Sequence, residues 1–217
     1  MKLAIRSLGA ITALGGAAAT AAAVRAGISR LAVDPALPTR PHDPEWDPWD
    51  EATAARIPPH RDLPAAGPAR LLALATLAAR DLTAAAGVRR ADVPRLALLV
   101  GLPEVDAVTA TWALPGMGQA LAGRLALDGL AAVETHPVGR TAIAVLADRA
   151  AALLAAGAAD RVLTVVADSL VDPDRHEALD AAGRVRSQRS PAGMMPGEAA
   201  VGLLLAAAGQ EPCILAT

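Results

Sequence analysis

The sequence predicts an α/β fold built on a mixed, mostly parallel sheet flanked by helices, and three observations lead there. Apolar, strand-like runs alternate with helical stretches along most of the 217-residue chain, the order that produces crossover connections in a layered sheet. Several runs, those at 95–100 and 161–167 above all, are apolar at nearly every position, as in strands covered on both faces. Phe and Tyr are absent and Trp occurs three times, so the core has to be assembled mainly from Ala, Leu and Val, which suits closely packed helices and sheet.

Residues 3–7 read as a short buried strand, Gly9-Ala10-Ile11-Thr12 as the turn after it, and 17–26 as a helix stopped by Gly27. The same N-terminus has the outline of a secretory leader, with an Ala-rich zone near 17–23. Arg6 and Ser7 interrupt that apolar run, however, and Gly9, Gly15 and Gly16 punctuate it; a strand, a turn and a short helix account for all of these together. Residues 33–68 differ in character. They are Pro-rich and acidic, contain Pro44-Glu45-Trp46-Asp47-Pro48-Trp49-Asp50, and are expected to form an extended surface excursion whose tryptophans dock on the chain's own body or on a partner.

Farther on, Leu71, Leu74, Ala75, Ala78 and Leu82 share one face of a helix over 70–83. Strands are expected at 95–100, 131–135 and 161–167. Helices are expected at 116–127, 139–156 and 173–182, the last opened by Asp172-Pro173 with proline in the first turn. Residues 197–206 and 213–217 read as two closing strands paired as a hairpin. The length suits a single domain over 1–217.

A formal net charge of −2 leaves no electrostatic footprint for nucleic acid or an anionic membrane, and directs attention to protein or small-molecule partners. No segment reaches the roughly 18 uninterrupted apolar residues that a membrane span requires. His42, His60, His136 and His176 are scattered, with no Cys or His at ligand spacing, so neither a metal nor a cofactor is expected. Cys213 is the single cysteine, too few for an internal disulfide, and a reducing cytoplasm is the simplest compartment. Its surroundings, Pro212-Cys213-Ile214-Leu215-Ala216, read as a strand with an inert, buried thiol, whereas a nucleophilic role would need an activated thiolate.

Three pieces of sequence, in order, carry a resemblance. They are Ala156-Gly157-Ala158-Ala159-Asp160-Arg161-Val162-Leu163; then Ala167-Asp168-Ser169-Leu170 with Leu179-Asp180-Ala181-Ala182-Gly183-Arg184; then Ser190-Pro191-Ala192-Gly193-Met194-Met195-Pro196-Gly197-Glu198-Ala199-Ala200. Together they resemble the β-ketoacyl synthase family of the thiolase superfamily. A weaker match runs from Gly9-Ala10-Ile11-Thr12 to Val24-Arg25-Ala26-Gly27-Ile28-Ser29. The resemblance implies the N-terminal half of a thiolase-like fold. In this family a cysteine sits at a sharp strand-to-helix turn, where helix N–H groups and the helix dipole stabilise a thiolate and a developing oxyanion. The matching run here is Thr135-His136-Pro137-Val138-Gly139-Arg140, so the nucleophile position falls on His136, and no cysteine occurs in residues 1–212. Gly139, Ser169 and Glu198 are the accompanying substrate-binding candidates. Glu198 and Ser169 also have plain structural readings, as a loop carboxylate and a strand-end turn. For His136 three roles stand open: a structural residue, an anion binder, or a nucleophile whose acyl-imidazole would hydrolyse too readily to hold a chain for condensation.

The family's fold has two similar halves, and the second supplies the histidines, or histidine and asparagine, of decarboxylation and condensation. The sequence corresponds to the first half, so the apolar helix expected over 139–156 is an interior element that needs a cover from a second polypeptide, a second copy or further residues. Relatives dimerise edge to edge through the strand matching 161–167. The leading expectation is therefore a degenerate β-ketoacyl synthase-like subunit, non-condensing by itself, that binds an acyl chain, acyl-CoA or an acyl carrier protein together with a ketosynthase-like partner chain or itself. The alternatives are an active acyltransferase of the 3-oxoacyl synthase type in lipid or polyketide biosynthesis, and a scaffold remnant without a ligand. Arg184, Arg186 and Arg189 either meet an acidic carrier-protein surface or form a solvated loop.

Overall fold

The computed structural model describes residues 2–38, 51–187 and 190–209, and one sheet organises them. In chain order the elements are β1 (Leu3–Thr12), β2 (Gly15–Gly16), α1 (Ala17–Arg25), β3 (Ala32–Pro38), β4 (Glu51–Ala54), α2 (Gly67–Ala85), β5 (Leu96–Leu102), α3 (Met117–Arg124), β6 (Ala132–Pro137), α4 (Ala142–Ala155), β7 (Arg161–Ser169), α5 (Pro173–Ala181) and β8 (Glu198–Ala207). The sheet order is β2-β1-β8-β7-β5-β6. β5 runs parallel to β6 and β7, whereas β8 runs antiparallel to both β7 and β1. Of the long strands, β1, β5, β6 and β7 thus share a direction and β8 opposes them: the mixed, mostly parallel sheet that the sequence predicts.

Strand alternation divides the side chains between two covered faces. On one face, Leu71, Leu74, Ala78 and Leu82 of α2 and Leu121 of α3 pack on Leu98, Val100, Leu163, Val165 and Leu204. On the other, Leu146, Ala150 and Leu153 of α4 pack on Ala97, Leu99, Val162 and Leu205. β5 is buried at every position because it lies under helices on both sides. Each leucine withdrawn from water in this way contributes about 1.5–3 kcal/mol.

The passage of α2 over the sheet explains one departure from the sequence reading. Gly9-Ala10-Ile11-Thr12, expected as a turn, continues β1 to Thr12. Gly9 pairs in register with Gly202 of β8. A Cβ on Gly9 would stand 2.3 Å from the Leu82 backbone nitrogen and 2.6 Å from the Ala78 carbonyl, and one on Gly202 would stand 2.9 Å from the Leu82 side chain. The two glycines form a notch that lets the helix backbone touch the strands. Gly9 marks a close approach of two backbones, where sequence punctuation suggested a bend.

Other expectations meet the fold as follows. α1 forms where expected but buries none of its residues; Val24 within it and Ile28 beyond it are exposed. Part of the 33–68 excursion is the β3–β4 strand pair, held by a small core of Leu37, Ala52, Ala54 and Val171 and by Arg56, which donates to Asp34 at 2.5 Å and to the Val171 carbonyl at 2.9 Å. Trp46 and Trp49 lie outside the described residues, as do Cys213 and the strand expected over 213–217. Among the described residues, β8 is hydrogen-bonded on both sides, by β1 and by β7. The edge-to-edge pairing expected through 161–167 is corrected for the same reason: β7 is an inner strand between β5 and β8, and β6 ends the sheet on that side. The helix expected over 139–156 begins as a 3-10 turn, Gly139–Thr141, and continues as α4. It is interior on one side only. Its inner face lies on the sheet, while Ile143, Ala144, Asp148 and Ala152 are exposed on the outer side.

Replacing Gly9 by Ala should cost about 3 kcal/mol in urea denaturation, since the backbone of α2 cannot give way as a side chain would. Gly123→Ala, whose added methyl meets nothing within 4 Å, should leave stability unchanged or raise it by up to about 1 kcal/mol.

Candidate functional site

The sequence candidates gather at one end of the sheet, where the parallel strands finish, but they occupy both of its faces. β6 alternates: Val133 packs into the α2–α3 core, and Thr135 Oγ1 accepts from the Gly118 N–H of α3 at 3.1 Å. Glu134 and His136 therefore point to the α4 face. There His136 Nε2 lies 3.2 Å from Glu134 Oε2. Arg149 of α4 grips the same carboxylate, with Nε 2.8 Å from Oε2 and Nη2 2.6 Å from Oε1. The result is a half-exposed Arg–carboxylate–imidazole cluster beside the helix. The Arg149 hydrogen bonds hold the Glu134 carboxyl below the usual glutamate range, helped by the bond from His136.

His136 opens a row of register partners across this face: Gly101 on β5, Val166 on β7, Val201 on β8 and Ala10 on β1. The first turn of α4 sits over Gly101, where a Cβ would come 2.7 Å from the Ala142 methyl and 3.3 Å from Leu146. It separates His136 from the rest of the row. The turn itself depends on Gly139, which has φ +57° and carries the Glu104 side chain packed where its Cβ would be, 2.6 Å from Cγ. Gly139 is thus fixed by backbone geometry and by a neighbour, and its hydrogen takes up the space against Glu104.

Ser169 and Glu198 are brought together, on the opposite face. They pair in register where β7 ends and β8 begins, and Ser169 Oγ donates to Glu198 Oε2 at 3.0 Å. The Glu198 carboxylate is wholly buried and accepts from Arg70 Nε at 2.8 Å, from Arg70 Nη2, and from the Ile57 N–H at 2.9 Å. Arg70, on α2, also donates to the Pro64 and Ile57 carbonyls. Nearby, Asp172 caps α5 by accepting from Arg175 N at 3.2 Å and holds the start of α2 by accepting from Gly67 N at 2.8 Å. Arg175 donates to Asp168 Oδ1 at 2.5 Å and lies 5.9 Å over the Trp112 ring.

The four candidates therefore form two separate groups. Sequence reasoning missed Glu134, Arg149 and Arg70. Glu134 was readable, since residues two apart on a strand share a face; the two arginines join partners that only the tertiary fold brings near. Among the described residues no group of His, Cys, Asp or Glu is placed to hold a metal ion, and no helix of theirs is long and apolar enough to cross a membrane.

Comparison with solved structures defines the class of this fold. The ishigamide ketosynthase/chain length factor is similar with a TM-score of 0.66 and 17% identity, covering 94% of this chain and 58% of that one. A β-ketoacyl synthase from Burkholderia phymatum matches with a TM-score of 0.63 and 18% identity, over 94% and 59%. A type II polyketide synthase acyl-carrier protein in complex with its ketosynthase bound to the hexaketide gives 0.67 and 14%, over 94% and 58%. The chain has a thiolase-like, ketosynthase-type fold, and it spans 58% and 59% of the length of the first two of these proteins. No protein-family profile and no curated protein matches the sequence.

The depressed Glu134 pKa carries a sign. Its contribution to stability is complete above the unfolded carboxylate value of about 4.3 and is lost as pH falls through the lower folded value. A carbon-detected NMR titration should find Glu134 titrating below that reference, and Arg149→Met should move it upward. An unchanged titration in the variant would contradict the Arg149 contact.

Proposed function

We propose that this chain is a degenerate β-ketoacyl synthase-like subunit that does not condense alone and that binds an acyl chain or an acyl carrier protein in company with a ketosynthase-like partner chain, in the cytoplasm. The observation that carries the reading is the state of His136. It stands at the position that the resemblance gives to the nucleophile, yet its Nε2 is taken by Glu134, whose carboxylate is itself gripped by Arg149. Held at Nε2, the imidazole has only Nδ1 left to attack an acyl carbon, and the acyl-imidazole so formed would hydrolyse too readily to hold a chain for condensation. An attacking atom has to approach an acyl carbon at about 3–3.5 Å with its lone pair directed there.

Ser169 offers no substitute nucleophile in this reading. Its hydroxyl proton goes to Glu198, which Arg70 keeps fully engaged in the opposite core. The half-open outer side of α4 and the sheet edge at β6 are the surfaces left for a partner. Two of the structural neighbours are described as a ketosynthase paired with a chain length factor and as a ketosynthase bound to an acyl-carrier protein, and both descriptions agree in kind with the proposal.

The test is to mix the purified chain with an acylated carrier protein, with and without ketosynthase chains from the same organism, and to follow complexes and acyl transfer by native and intact mass spectrometry. The expected result is a complex that includes the partner, with no acyl group on this chain. Acyl transfer to the chain alone, abolished by His136→Ala, would overturn the proposal, and so would the absence of any complex.

A further inference from the structure

On the α4 face, separated from His136 by the first turn of α4, the sheet floors a groove of 580 Å³. That volume lies within the range of about 300–1,000 Å³ common to small-molecule sites. Val166 of β7 with Ala199 and Val201 of β8 form its floor, and Leu14, Ile28 and Leu170 stand at its walls. The polar groups along it are mostly satisfied within the protein. Thr12 and Thr20 share a hydrogen bond of 2.8 Å, and Ser29 Oγ accepts from the Leu31 N–H.

The charges decide what the groove can take. Glu198 contributes to the lining, but its carboxylate is turned to the other face and paired with Arg70. Asp168 is held by Arg175 at 2.5 Å. Arg30 is left as a cation with no hydrogen bond or ion pair to any described residue. It also lines an adjoining cleft of 320 Å³ that shares Thr12, Ala13 and Leu14 with the groove, and a smaller one of 220 Å³ beside Asp34 and Arg56, so Arg30 borders all three.

The geometry points to a binding site for an anionic amphiphile: an unbranched alkyl chain laid along Val166 and Val201, with a carboxylate paired to the Arg30 guanidinium. A guanidinium accepts a carboxylate in a planar, two-bond arrangement, which an alcohol or an ammonium head cannot reproduce. The site is distinct from the His136 cluster, which lies two strands away, about 10 Å at the usual strand spacing. It stands on the groove and Arg30 alone and does not depend on the ketosynthase-like reading.

Isothermal titration of the full chain with decanoate, kept below its micelle-forming concentration, tests the site. Decanoate should bind one to one, and decan-1-ol and decyltrimethylammonium about tenfold more weakly or not at all. Arg30→Gln should weaken decanoate about tenfold while leaving decan-1-ol unchanged, and Ile28→Asp, at an exposed wall position, should remove decanoate binding without altering the circular dichroism spectrum. Arg25→Gln, outside the groove, should change nothing. The decanoyl thioester of phosphopantetheine, whose chain lacks a free carboxylate, should bind more weakly than decanoate. Equal affinity for decanoate and decan-1-ol, an unaltered Arg30→Gln variant, tighter binding of the thioester, or no decanoate binding would each overturn the inference. Loss of decanoate binding with the carrier-protein complex intact would overturn this site and leave the proposed function standing.

Discussion

The buried pair between Arg70 and Glu198 is the interaction on which the rest of the arrangement depends. It joins four parts of the chain: the segment after β4 through Ile57, the start of α2, the end of β7 through Ser169, and the first residue of β8. Two charges withdrawn from water give a net gain only if their remaining donors and acceptors are filled, and here the carboxylate and the guanidinium each have further partners. Removing one partner from such a pair costs about 3–5 kcal/mol, a large share of the roughly 5–15 kcal/mol that holds a domain together. Because the pair sits where β7 and β8 meet, it also fixes the end of the sheet at which every candidate functional residue lies.

That constraint sorts the candidates by face. Glu198 and Ser169 are drawn inward to α2, so their chemistry is spent on architecture. The α4 face keeps the groups that solvent and ligands can reach: the Glu134–His136–Arg149 cluster on one side of the α4 turn, and the groove with Arg30 on the other. The small residues Gly101 and Ala142, which let α4 settle onto β5, divide the two. The first turn of α4 thus places the groove and the His136 imidazole on opposite sides of one barrier.

How far the sequence disclosed this can be traced in particular residues. The runs in β5 and β7 were plain because strands buried on both faces are apolar throughout, and α2 was plain because its leucines keep one helical face. The β3–β4 pair was read as an irregular excursion, since Pro35 and Pro38 remove donors and the register slips between Val33 and Pro38, leaving no clean alternation. Gly9 was misread as a turn because sequence does not distinguish a glycine that bends the chain from one that admits a helix. His136 and Glu198 were picked out by the resemblance. Their settings were not, because Arg70 is 128 residues from Glu198 and Arg149 reaches Glu134 from a different element.

Native-state hydrogen exchange at the Ile57 amide tests the central claim most directly. Ile57 lies outside helix and strand, and its N–H donates to Glu198 Oε1. Protection approaching that of the Leu99 amide in the middle of β5 is the expected result, since the bond should open only when the core does. Exchange at the rate of an exposed loop amide would mean that the carboxylate is not seated among these partners, and the division of the site into two faces would fall with it.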